Sequence, residues 1–374
     1  MTSTILRPAP LAPDLDEPAP QSDQHLIGEV RITGRGPCSD AVAALLAGGA
    51  RASLADLPAL AAACAGDAAD PVTDDDLQLA LFLLYAIPYG SLDHASAELE
   101  WEPHLLAARA VLEGCFERAL RAQVQHPPAP QARREAVAET LFEMTAPQPG
   151  PSLSRFFARK ADREQALEFL IQHSIYTLRE ADAHSWVIPR LTGAAKAALI
   201  EIQADEYGGG RTERMHQVMY ARTMREAGLD DRYGAYVDAV PAIVLASFNM
   251  MTMFGLHRRL RGAAVGHLAA FEMTSSIPCR SIAEGLRRLG FGDDAAAYYD
   301  EHVEADSVHE QIAAHDLAGA LAESEPALLD DILFGAACCL DIDGAASEQM
   351  LESWERGVPS LLSPMDAADA EVLS

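Results

Sequence analysis

The sequence predicts an all-α protein, and three observations predict it. Ala/Leu-rich stretches with helical spacing fill the chain from about Ala41 onward, runs that alternate with a period of two are few, and β-branched residues are sparse. No fixed-period repeat is visible, which argues against a solenoid. With 374 residues, 49% of them apolar, the chain can bury one large core, or one and a half.

The elements follow in order. Residues 1–36 hold Pro8, Pro10, Pro13, Pro18 and Pro20 among Ala, Asp and Glu, a composition too poor in buryable surface to order itself, so a disordered tail is expected. Residues 37–150 form an N-terminal helical region, carried by AVAALLAG, LADLPALAAACAG, DLQLALFLLYAI and LEWEPHLLAARAVLEGCFERALRAQV and broken by the Pro-rich joint HPPAPQ at 126–131. Residues 151–374 form the main helical domain, with helix-length segments at 163–181, 192–207, 211–227, 232–254, 263–275, 280–290, 293–316 and 326–357. From about 321 onward acids face the single Arg356, which reads as a solvated acidic face.

Composition excludes several classes. A net charge of -28 with only two lysines, Lys160 and Lys196, argues against gripping phosphate backbones, which takes clustered cations. Six cysteines without a CxxC pair argue against a disulfide framework or a Cys-rich metal site, so reduced thiols are expected. No run reaches the ~20 apolar residues of a membrane span, and the first residues lack the basic-then-apolar order of a signal peptide. A cytoplasmic protein without membrane or nucleic-acid partners is the expectation.

The chemistry sits in two half-sites. In EHVEADSVHE, His302, Asp306 and His309 are spaced four and three apart, so a helix places two imidazoles and a carboxylate on one stripe. In DEYGGGRTERMH, Glu213 and His216 form a carboxylate-x-x-His pair, with Glu206 two helical turns before Glu213. Gly208, Gly209 and Gly210 would each cost a helix interior about 1 kcal/mol and are its weak point; the alternative is a Gly-rich loop followed by a fresh helix with Thr212 near its start, in which Glu213 and His216 stay paired. A carboxylate-bridged dimetal bundle takes a Glu from each of two helices and a carboxylate-x-x-His from each of two others. Stepping back about one helical hairpin from each pair reaches Glu180 and Glu272, giving the series Glu180, Glu213/His216, Glu272, Asp306/His309 with near-equal spacing in both halves. Glu168 and Asp182 lie close enough to serve in place of Glu180. Glu272 stands in an apolar segment, where a carboxylate must be protonated, paired with an arginine or bound to metal. His173, His184, His257 and His267 read as structural or as partners that support the ligands from behind, and Asn249 as a polar contact inside a pocket.

The segments EIQADEYGGGRTERMH, FGLHRRLRGAAVGHLAAFEMTSS and YYDEHVEADSVHE resemble the iron-containing redox enzymes of the haem-oxygenase-like diiron oxidase superfamily, over about 160–357. The upstream LYAIPYGSLDHASAELEWEP also resembles that group. The resemblance implies a haem-oxygenase-like helical bundle holding two non-haem irons, with O2 as co-substrate. It implies Glu180, His216 and His309 on one iron, Asp306 and His302 on the other, Glu213 and Glu272 bridging or joining the second, and Glu206 as an additional carboxylate.

The expected activity is that of a diiron oxygenase, fed by an external electron donor, that N-oxygenates a small amine or amino-acid-derived substrate in specialised biosynthesis. Cleavage, decarboxylation or desaturation at carbon is the alternative within enzymes, and a ferritin-like iron-handling protein the alternative outside them. The N-terminal helices are expected to combine covering the pocket with a homodimer interface, and completing the bundle is the alternative.

Overall fold

The structure, a computed structural model, describes residues 30–48, 51–92 and 97–363, with side chains for all of these except 51–53 and 304–307. Of the expected tail, residues 1–29 lie outside the described residues. The architecture is helical throughout, and no strand occurs among the described residues.

Four helices, α1 (Pro37–Leu46), α2 (Leu57–Asp67), α3 (Asp75–Tyr89) and α4 (Pro103–Gln123), make the N-terminal region. Asp74 starts α3 by accepting a hydrogen bond from the Leu77 amide at 2.8 Å, and eleven successive residues from Leu77 to Ile87 are buried. A helix buried on all sides is a core element rather than a surface one, and α3 packs on α1, α4 and the central α11. The N-terminal helices are thus fastened to the main bundle through α3.

Beyond α5 (Arg134–Thr145) and α6 (Leu153–Arg159) runs the bundle: α7 (Arg163–Thr177), α8 (Glu180–Ser185), α9 (Gly193–Glu206), α10 (His216–Glu226), α11 (Ala242–Leu256), α12 (Arg261–Arg288), α13 (Asp293–Gln311), α14 (Ala320–Ser324) and α15 (Leu329–Glu355). A capping box of Asp162 and Gln165 opens α7. Every residue of α11 except Leu256 is buried. Its Asn249, expected in a pocket, instead donates to the backbone and side-chain oxygens of Gln78, both at 2.8 Å, and pins α11 to α3.

α12 packs along both α13 and α15. The sequence suggested a break near Pro278, yet α12 runs unbroken through it. An interior proline costs about 3 kcal/mol, and packing against α6, α13 and α15 outweighs it. Glycine makes the α12–α15 crossing close: a Cβ on Gly266 would strike the Ile332 carbonyl, and one on Gly335 the backbone of Ala263.

Between α13 and α14, residues Ile312–Gly319 adopt a π-helix, which packs on α5, α9 and α12. Such wide turns recur at functional sites, and this one begins three residues after His309. No helix among the described residues is long and apolar enough to cross a membrane.

Candidate metal centre

The glycine run builds the first half of the site. α9 ends at Glu206, and Gly208, Gly209 and Gly210 all take positive φ (64°, 61° and 80°), folding the chain back so that α10 begins at His216. A Cβ on Gly208 would stand 2.6 Å from the Arg214 carbonyl carbon and 2.7 Å from the Met215 amide nitrogen, so only glycine fits this turn. The last residue of one helix and the first of the next therefore face each other, with His216 Nδ1 2.8 Å from Glu206 Oε2. Both are buried.

α13 supplies the second half. His302 and His309 are buried on one stripe of this helix, as the spacing predicted. The His302 and His216 rings lie 4.3 Å apart between centroids. A carbonyl can only accept, so the 2.8 Å contact between His302 Nδ1 and the Tyr298 carbonyl fixes the proton on Nδ1 and leaves the Nε2 lone pair free. That is how metal-ligating histidines are commonly oriented. Burial and the neighbouring His216 push His302 down to about 4, so it is neutral at pH 7.

His309 is held at both nitrogens, by Glu272 Oε2 at 3.2 Å and by Asp205 Oδ2 at 3.0 Å. Burial disfavours its charge, but the two carboxylates outweigh burial and raise it to about 10. Burial likewise works against an ionised Glu206, but the charge and hydrogen bond of His216, with His302 and His309 nearby, hold it at about 2. For Glu272 burial wins over the bond from His309, and its pKa is raised.

Two donor groups result: Glu206, His216 and His302, and Glu206, Glu272 and His309, each with its ligand atoms within 4.8 Å of one another. Glu206 belongs to both. The donor set of imidazoles and carboxylates suits iron, and the burial of Glu206 and Glu272 beside three histidines fits a pair of cations. A surface hollow of about 320 Å³, lined by Asp205, Gly208 and Arg211 among others, reaches His216 from outside.

The structure does not bring all expected residues together. Glu213 is exposed on a 3₁₀ turn, Thr212–Arg214, because the glycine hairpin ends α9 and α10 does not start until His216. The carboxylate facing His216 is Glu206, placed by the loop rather than by a continuous helix. Asp306 lies on α13 between the two histidines, but its side chain falls outside the described residues. Glu180 opens α8 and is buried, and it falls in neither donor group. Its charge nonetheless helps burial raise the Tyr298 hydroxyl pKa. The grouping also differs from the one the resemblance implied, since His216 faces His302 rather than His309. Glu168 is engaged elsewhere, accepting from Trp354 Nε1 at 2.8 Å and from Ser360, while Asp182 takes Arg179 and Tyr207.

Asp205 was missed. It precedes Glu206 in sequence, but its side chain is 63% exposed and no helical spacing links it to His309. Among the other histidines, His184 and His267 form a buried pair at 3.4 Å, and His257 meets Glu113 at 2.8 Å.

Beside the metal-ligand candidates lies a cavity of about 220 Å³. His302 and Tyr298 form part of one wall, α7 contributes His173 and Tyr176, and α11 and α15 contribute Ser247 and Asp343. A third donor group, His267, Cys339 and Asp343, adjoins it.

Residues 167–344 match the model of a family described as iron-containing redox enzyme. This span holds every predicted ligand. No curated protein matches the chain.

Proposed function

We propose, on the strength of the match of residues 167–344 to the family described as iron-containing redox enzyme, that the protein is an oxidoreductase, and specifically a non-haem diiron oxygenase that N-oxygenates a small amine. The observation that carries this reading is Glu206, which among the described residues is the one carboxylate common to two buried donor groups less than 5 Å across. One iron would be held by Glu206, His216 and His302 and the other by Glu206, Glu272 and His309, with Glu180 and Asp306 the candidates to complete the two shells. Bound there, ferrous ions supply the electrons that reduce O2, drawn in turn from an external donor.

The chain's own residues set the conditions. Tyr298 keeps the His302 ring oriented through its carbonyl. His309 must give up the proton it shares with Glu272 and Asp205 before it can ligate, and that proton leaves to solvent on the side of the exposed Asp205. The cavity at His302 is smaller than the ~300–1,000 Å³ of pockets for drug-sized ligands, which favours a small substrate. The absence of Arg and Lys from its described lining favours an amine over a carboxylate.

The test is a single-turnover experiment with the iron-loaded full-length protein, a reductant, O2 and a set of small amines. A product heavier by one oxygen, with the oxygen on nitrogen, is expected. Products shortened or desaturated at carbon would replace this reading with the carbon-centred one, and ferric mineral without product would replace it with iron storage.

A further inference from the structure

Asp343 is a carboxylate at a cavity wall without a counter-cation. It sits on α15, accepts a 2.6 Å hydrogen bond from the Ser247 hydroxyl and meets the Cys339 thiol at 3.6 Å. Both Ser247 and Asp343 face the same cavity that His302 borders. Among the described residues no Arg or Lys lines that cavity, and no ion pair involves Asp343. The histidines nearest to it do not supply a charge either: burial pushes His173 to about 4 and, with His184, drives His267 well below its ordinary value.

An ionised carboxylate taken out of water is costly unless a cation or several donors meet it. Here one hydroxyl and a weak thiol donor are all that the described residues offer. The remaining walls are uncharged, and four aromatic rings, Phe169, Tyr176, Phe271 and Tyr298, stand among aliphatic and neutral polar side chains around the space. Aromatic faces and one carboxylate are how proteins recognise a desolvated ammonium.

We propose that the cavity is the substrate subsite and that Asp343 anchors its cationic nitrogen, so the substrate is a small aliphatic ammonium compound whose other end reaches His302. This deepens the reading above and rests on it for the word substrate. A protonated nitrogen has no lone pair to receive oxygen. The nitrogen on Asp343 is therefore the handle, and the nitrogen oxygenated is a second one, at the end near His302.

The experiment compares three probes of one length, n-pentylamine, 1-pentanol and pentanoate, by calorimetric titration into the full-length protein at pH 7.5, with iron per chain counted in each sample. The amine is expected to bind at least tenfold more tightly than the alcohol, and pentanoate not at all. Asp343→Asn is expected to lose that tenfold preference while still binding the alcohol, which shows that the cavity is intact. Equal binding of amine and alcohol, or an amine preference that survives Asp343→Asn, overturns the assignment. So does a metal ion that binds the wild type, is lost in Cys339→Ser and blocks the amine, because Asp343 would then be a ligand of the third donor group. An amine preference in protein that takes up no iron leaves the subsite standing and removes the oxygenase reading. Two irons without an amine preference does the reverse.

Discussion

Asp343→Asn has a consequence for stability as well as for binding. Burial raises the Asp343 carboxyl from its ordinary 3.8 to about 6, against the opposing bonds from Ser247 and Cys339. A carboxyl whose pKa is higher in the folded state binds its proton more tightly there, so folding is unaffected well below pH 4 and is penalised progressively as the pH rises through 6. The rise corresponds to about 3 kcal/mol once both states are ionised, and to about half of that at pH 5. Asparagine keeps an acceptor for Ser247 and carries no charge. The iron-free variant should therefore be more stable than the wild type by roughly 1–3 kcal/mol at pH 8, with the gap narrowing by about half at pH 5. Urea titrations of both proteins at the two pH values give the comparison directly. A variant that is less stable at pH 8, or a gap that does not change with pH, would show that Asp343 is already compensated and would remove the ground for a cationic ligand. The expected pattern is a group kept for binding at a cost in stability, as is common in functional sites.

Other outcomes follow from the same geometry. Fe(II) uptake should tighten as pH rises between 6.5 and 10 and should release protons, because His309 is held protonated by Glu272 and Asp205; a pH-independent affinity would exclude His309 as a ligand. In the iron-free protein the same group acts in the opposite sense: its folded pKa is raised, so its contribution to stability is full below pH 6.5 and is lost as pH rises toward 10. Gly208→Ala should destabilise by at least the ~1–2 kcal/mol of a left-handed backbone on a residue with a Cβ, and should lower iron content by parting Glu206 from His216; urea midpoints and iron counts report both. Glu213→Gln should leave iron content unchanged, since Glu213 faces solvent, and a loss of iron in that variant would contradict the placement of the glycine hairpin.

Much of the site was legible because helical spacing is a strict rule. His302 and His309 had to share a face of any helix that contained them, and α13 contains both. Glu272 stood out as an acid in apolar text, and it is indeed buried and paired, though with His309 rather than with an arginine. The spacing rule misplaced Glu213 for an equally physical reason. Three consecutive glycines let the chain leave the helix, and once it leaves, counting residues no longer says which carboxylate meets His216. Asp205 and Asp343 were hidden for a different reason: each touches a partner far away in sequence, His309 and Ser247, and only tertiary packing sets such pairs. The same holds for the helices. A helix-length segment was legible where α11 stands, whereas the continuity of α12 through Pro278 depended on three neighbours that no local pattern displays.

The central claim is that Glu206 lies between two iron sites, and the most direct measurement is anaerobic Fe(II) loading with iron counted per chain, followed by rapid mixing with O2 under visible absorption. The account predicts two irons per chain and a transient absorption in the wild type, both lost in Glu206→Ala, whereas His302→Ala and His309→Ala each retain about one iron and lose the transient. Two irons retained in Glu206→Ala, or no iron bound by the wild type, would contradict it.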